Sequence, residues 1–200
     1  FMTQLNLFKN REDAGKQLAE KIPNFPKNEE CIIIALPRGG VVVGYELVKK
    51  LNIPMDIIIP RKISSPFNPE LAVGAIAETE SYFDKELIEN LQISDEYLKA
   101  EIQKEKKEAE RRKNLYRKDR PPLNLENKTV IIVDDGIATG STVIAGIQYI
   151  KTKNPKKIIL AVPVAPPEVI EKIENLVDKI ICMYKQDNFL AIGQFFEYFE

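Results

Sequence analysis

The sequence predicts an α/β protein built on a doubly wound, mainly parallel sheet. Three observations predict it. Short runs at 31–36, 55–61, 129–134, 157–164 and 179–183 are apolar almost throughout, as strands covered on both faces must be. Segments with helical spacing of apolar residues alternate with these runs. The chain has 200 residues, 44% of them hydrophobic and 30% charged, enough to bury one sizeable core without disulfides or metals. Residues 1–200 are therefore expected to form a single domain.

The first element is a helix over 10–22. Asn10 can cap it, Asp13 lies in its first turn, and Ala14, Leu18, Ala19 and Ile22 make its apolar stripe. A strand at 31–36 leads through Gly39-Gly40 into a helix over 41–51. Pro54 introduces a second apolar strand at 55–61, and a loop occupies 62–69. Residues 71–77 and 81–84 read as a small strand pair. A long charged helix covers 94–117, with Ser94 as its cap and pairs such as Glu108 with Arg112 supporting it at i,i+4. Its apolar residues (Tyr97, Leu98, Ile102, Ala109, Leu115, Tyr116) are sparse, so it is expected to be solvated; packing of that thin stripe on a partner subunit is the alternative. After Pro121-Pro122 come a strand at 129–134, a loop at 135–140 and a helix at 141–152. A strand at 157–164, a helix at 167–176, a strand at 179–183 and an aromatic tail over 189–199 complete the pattern.

Composition excludes several classes of function. A formal net charge of −1 provides no global field for nucleic acid or anionic lipid, so any anion site is local. With no histidine, imidazole acid–base chemistry, His-activated nucleophiles and His-ligated metals are ruled out. Cys31 and Cys182 stand in apolar runs and read as reduced, buried core thiols. No signal peptide or membrane-length apolar stretch is visible, and a cytoplasmic location is expected.

In parallel sheets, ligands bind at the carboxyl ends of strands. Two loops hold that position here, 37–40 and 135–141. The second lies in the string Val130-Ile-Ile-Val-Asp134-Asp135-Gly136-Ile137-Ala138-Thr139-Gly140-Ser141-Thr142-Val143. Its glycines allow a tight turn and close approach to a ligand, and its amides can form an anion nest. The helix beginning near Ser141 adds its positive end, and the hydroxyls of Thr139, Ser141 and Thr142 add donors. Asp134 and Asp135 suit a different part of the ligand, because carboxylates accept hydrogen bonds from vicinal hydroxyls. Neither the Walker A pattern nor the dinucleotide Gly-x-Gly-x-x-Gly turn is present. A plain turn followed by a helix cap remains the bland reading of each half alone. In the first loop, Leu36-Pro37-Arg38-Gly39-Gly40, paired glycines can open backbone amides and Arg38 offers a bidentate phosphate donor. Loops on neighbouring strands would lie about 5–10 Å apart, within reach of one bisphosphorylated sugar.

The string Val130–Val143 resembles the phosphoribosyl-pyrophosphate (PRPP) motif of type I phosphoribosyltransferases, and the likeness extends over roughly residues 30–183. The segments Leu36–Gly40, Asn68–Gly74 and Val162–Pro167 resemble a subgroup of predicted, uncharacterised phosphoribosyltransferases. The resemblance implies that Asp134 and Asp135 hold the ribose 2- and 3-hydroxyls and that Gly136, Ile137, Ala138, Thr139, Gly140, Ser141 and Thr142 hold the 5-phosphate. It implies that Pro37, Arg38, Gly39 and Gly40 bind pyrophosphate, with a cis bond between Pro37 and Arg38. A loop over 61–70 that closes on the substrate would bring Arg61 and Lys62 to the same group, and closure would exclude water. Asp134, Asp135, Arg38 and Lys62 would then be the catalytic set. Residues 84–120 become a helical insertion, and 5–11 with 184–199 a small hood. Val164 and Phe189 are candidate acceptor contacts, although aromatics there equally suit a sealed core edge.

The implied reaction displaces pyrophosphate from C1 of PRPP by a nitrogen acceptor, a nucleobase by analogy. Mg²⁺ would be carried by the substrate rather than by protein ligands. The partners are then small molecules, without nucleic acid or membrane, and relatives commonly form homodimers. Two other readings stay open: a non-catalytic PRPP- or nucleotide-binding regulator on the same fold, and a phosphatase or kinase using Asp134-Asp135 as a metal pair.

Overall fold

The computed structural model describes residues 6–69, 71–118 and 120–200. Along the chain the first elements are α1 (Arg11–Lys21), β1 (Cys31–Ala35), α2 (Gly39–Leu51) and β2 (Met55–Ile57). Next come β3 (Pro60–Ser64), β4 (Ala72–Ala77), β5 (Glu80–Phe83), α3 (Lys85–Asn90) and α4 (Asp95–Tyr116). The last are β6 (Thr129–Val133), α5 (Ser141–Lys151), β7 (Lys157–Ala165), α6 (Pro167–Glu174), β8 (Lys179–Lys185) and a 3₁₀ turn at Ile192–Phe195. The architecture is α/β with a mainly parallel sheet, as expected.

The chain divides into two compact units. The first comprises Phe1–Ile57, Leu125–Ala138 and Asn154–Glu200. Its five strands run parallel in the order β2-β1-β6-β7-β8. Every residue of β6 is buried, which is why its sequence shows no polar alternation. Leu18, Ile33, Val43, Leu47, Ile131, Val133 and Ile159 form the heart of the core. Each such side chain contributes about 1.5–3 kcal/mol by leaving water. The order also reverses direction between β1 and β6. From β1 the next strand is laid on one side, and from β6 the following strands are laid on the other. That reversal opens a crevice beyond the carboxyl ends of these two strands.

A second cluster in this unit joins two segments far apart in sequence. Phe8, Ala14, Val164, Phe195 and Phe196 pack together, and Phe8 forms a parallel bridge with Phe196. Residues 6–11 and 184–199 are thus in contact where a hood was expected; Leu5 lies outside the described residues.

The second unit comprises Ile58–Asn124 and Thr139–Lys153. Its antiparallel sheet runs β3-β4-β5. The strand expected at 55–61 is therefore two strands, ending in the parallel sheet at Ile57 and resuming in this one at Pro60. The expected loop at 62–69 likewise begins later, since Lys62, Ile63 and Ser64 complete β3. Period-2 alternation is absent from 55–61, so the run carried no mark of the break. Ile63, Val73, Ile76 and Ile93 form the core here, and Tyr97, Leu98 and Ile102 of α4 pack against it. The stripe of α4 is thus satisfied within its own chain over its first half, whereas Leu115 and Tyr116 stay exposed. Among the described residues, no helix is long and apolar enough to cross a membrane. Cys31 and Cys182 are free thiols but half-buried, not fully buried as expected.

Candidate active site

The crevice is built by the ends of β1 and β6. In register, Ala35 lies beside Val133, and the Leu36 amide donates to the Val133 carbonyl at 3.0 Å. The loops leaving the two strands therefore start side by side. Pro37–Arg38 is a cis peptide bond, as the resemblance implied. α2 begins at Gly39, two residues earlier than the apolar pattern suggested, and Arg38 occupies its cap position with an exposed side chain. The Gly40 amide is taken by the Leu36 carbonyl at 3.1 Å. The glycine pair thus serves less to open two amides than to let the loops approach. A β-carbon on Gly39 would fall 1.9 Å from Asp135 Oδ2, and one on Gly40 would fall 2.8 Å from the Val133 carbonyl. Only hydrogen fits at either place.

Asp134 and Asp135 follow directly. Asp134 Oδ1 accepts from the Asp135 amide at 2.8 Å. Asp135 is buried, and its Oδ2 accepts from Arg11 Nε at 2.7 Å. Burial, then the neighbouring charge of Asp135, hold the Asp134 carboxyl well above the usual aspartate range; the Asp135 amide and Arg11 act in the opposite direction. Arg11 was absent from the sequence-based site. Its one local signal was a cation in the first turn of a helix, where the dipole favours anions.

In the string that follows, Gly136, Ile137 and Ala138 belong to the first unit and Thr139, Gly140, Ser141 and Thr142 to the second. The Ile137 amide donates to the Val164 carbonyl at 3.0 Å, so it is not among the donors open to an anion. Gly140 adopts φ +80°, the left-handed region that favours glycine, and caps α5 without a side-chain bond to its first amides. Thr139 is exposed and Ser141 buried.

The remaining candidates fall elsewhere. Val164 is fully buried with Phe8, Phe195 and Phe196, and the Phe189 ring lies 4.8 Å from that of Phe195. Both are engaged in packing. In the second unit, Arg61 and Lys62 stand on β3, where Arg61 Nε meets Glu105 Oε2 of α4 at 2.7 Å. Asn68 and Pro69 precede Glu70, which lies outside the described residues. Among the described residues, no cluster of three or more Cys, Asp or Glu could hold a metal ion. One carboxylate oxygen is committed to Arg11 and another to a backbone amide. Carboxylate oxygens of this kind are hard donors of the type that Mg²⁺ accepts.

Comparison with known proteins bears on the family and the fold. The family described as "Phosphoribosyl transferase domain" matches residues 3–199. Two Mycobacterium tuberculosis sequences (strains CDC 1551 / Oshkosh and ATCC 25618 / H37Rv), provisionally named as phosphoribosyl transferases, are 34% identical over 191 residues, 95% of this chain. The chain spans only 43% of their length. The crystal structure of TT1426 from Thermus thermophilus superposes with a TM-score of 0.76 at 31% identity, covering 96% of this chain and 90% of that one. A hypoxanthine-guanine phosphoribosyltransferase from Bacillus anthracis shares the fold, with a TM-score of 0.52 at 16% identity over 89% of this chain and 79% of its own. A match across nearly its whole length places this chain in the phosphoribosyl transferase domain family.

Proposed function

We propose that the chain transfers the 5-phosphoribosyl group of PRPP to a nitrogen acceptor, a nucleobase by analogy with the family, and releases pyrophosphate. The observation that carries this is the meeting of the Arg38 loop with Asp134 and Asp135 at the reversal of strand order. A cation-bearing glycine loop beside a carboxylate pair offers one ligand both a pyrophosphate contact and a diol contact. In this reading Asp134 and Asp135 accept from the ribose hydroxyls, and residues 136–142 hold the 5-phosphate, with the Ile137 amide excepted. Pro37–Gly40 hold pyrophosphate, and Arg61 and Lys62 keep the pyrophosphate role that the resemblance gives them. Val164, buried in the core, and Phe189, partly buried against it, are the weakest of the acceptor contacts.

By analogy with glycoside cleavage, positive charge develops on the sugar ring as the C1–oxygen bond breaks. The protein supplies no nucleophile. It orients the sugar, balances the departing pyrophosphate through Arg38 and excludes water. Mg²⁺, when bound with the substrate, would supply further charge balance beside Asp134 and Asp135. A cytoplasmic homodimer acting on small molecules alone completes the proposal.

The test is a melting-temperature panel followed by pyrophosphate assay. Mg·PRPP at a hundredfold its Kd adds about 2.7 kcal/mol, roughly 5–10 °C for a chain of this size. Pyrophosphate release should then appear only with one class within a panel of purines, pyrimidines and simple amines. No response to Mg·PRPP, or metal-dependent phosphate release without any acceptor, would overturn the proposal. Stabilisation without turnover of any acceptor would turn it toward a PRPP-binding regulator.

A further inference from the structure

Hydrogen-bond accounting at the carboxylate pair leaves an arginine to be explained. Each aspartate has two acceptor oxygens. Asp134 commits Oδ1 to the Asp135 amide and Asp135 commits Oδ2 to Arg11 Nε. The two carboxyl groups also lie within side-chain hydrogen-bonding reach of each other, and a ribose presents two neighbouring hydroxyls that can replace that mutual contact.

Arg11 is itself held on several sides. It is the first residue of α1, whose backbone is fixed by the Asn10 cap. Its guanidinium carbon sits 3.9 Å over the Phe199 ring, and Nη1 donates to the Glu200 carbonyl. Phe199 is held in turn against Phe196, ring centres 5.1 Å apart. The Arg11 and Asp135 side chains are only 17% and 9% exposed. An ion pair so sheltered gains little net stability, because desolvation offsets attraction. The Arg38 loop is also shaped around it: a β-carbon on Gly39 would strike Asp135 Oδ2 and come within 2.8 Å of Arg11 Nε.

We propose that Arg11 is a positioning residue of the ribose subsite, fixing the Asp135 carboxylate so that its second oxygen meets one sugar hydroxyl. The proposal rests on the PRPP reading above. Arg11 acts through Asp135 and touches no reacting atom. Phe199 and the Glu200 carbonyl hold its guanidinium in place, which gives the aromatic tail a part in sugar recognition.

The experiment compares ribose 5-phosphate with its 2-deoxy and 3-deoxy analogues by calorimetry, using the wild type, Arg11→Met, Arg11→Lys and Phe199→Leu. In the wild type, loss of a hydroxyl bonded to a carboxylate weakens binding about ten- to a hundredfold. In Arg11→Met that discrimination should fall below about threefold at one hydroxyl and persist at the other, while affinity for the corresponding deoxy sugar stays unchanged. Arg11→Lys should restore part of it. Phe199→Leu, which leaves both charged partners in place, should lower it partway and carries the test if Arg11→Met does not fold. Wild-type discrimination at both hydroxyls in Arg11→Met, or in Phe199→Leu when that variant stands alone, overturns the inference and leaves the PRPP reading intact. A wild type that binds none of the sugars, or all three equally, overturns the PRPP reading itself and the inference with it.

Discussion

At Gly39 a single hydrogen separates a loop from a salt bridge. Replacing it with alanine should displace Asp135 or Arg11, because the added methyl cannot coexist with Oδ2. Overpacking of this kind costs about 1–3 kcal/mol, to be read by urea denaturation. Gly39→Ala should also abolish the Mg·PRPP shift in melting temperature; retention of the full shift would show that the approach of the two loops is not needed for binding. The residues of this site were unequally legible in the sequence. Asp134 through Thr142 could be read because one contiguous string carries strand, carboxylates, turn and helix start. Arg38 could be read because two glycines follow it. Arg11 could not, since its partner is 124 residues away and sequence periodicity reports only near neighbours. The opposite error occurred at Ile137: a loop amide was counted as open, yet a distant strand carbonyl had taken it.

Among the elements, α4 was read correctly as a helix with a solvated face, and Ser94 caps it as expected. Sequence could not show which of its polar residues turns inward. Glu105 is the buried one, and it holds Arg61 on β3, while Tyr97 Oη donates to the Ser64 carbonyl at 2.8 Å. Helix α4 thus grips the strand that bears Arg61 and Lys62. Removing Glu105 leaves Arg61 without that partner. Because Arg61 keeps about a quarter of its side-chain surface open, the fully buried penalty is discounted. Glu105→Ala should destabilise by about 1–2 kcal/mol, and Glu105→Gln by less, as measured by chemical denaturation. Equal stability of all three proteins would mean that solvent already serves Arg61. The break of one run into β2 and β3 escaped the sequence because Ile57, Ile58 and Ile59 carry apolar character across it and Pro60 admits either reading.

Across the whole molecule, the absence of histidine simplifies the response to pH. Folding raises the Asp134 pKa above its unfolded value. Its contribution to stability is therefore complete at pH below the ordinary aspartate range and is lost as pH rises through the folded value. Above that point the fold carries a charge that its surroundings disfavour. Asp134→Asn keeps the acceptor for the Asp135 amide and removes the charge. It should melt at a higher temperature than the wild type at pH 7, with the gap closing toward about pH 4, and it should no longer respond to Mg·PRPP. A wild-type melting profile that is flat over this range, or that rises toward neutrality, would contradict the assignment. Cys182 does not confuse the measurement, since burial pushes its thiol up to about 11.

The bridge between Phe8 and Phe196 also bears on the order of synthesis. A ribosome releases Phe8 long before Phe196. Throughout that interval the nascent α1 lacks its aromatic partners, and Arg11 has neither Phe199 nor the Glu200 carbonyl to lean on. The parallel sheet can assemble in the meantime, but Asp135 gains its settled ion pair only when the aromatic residues around 195–199 emerge.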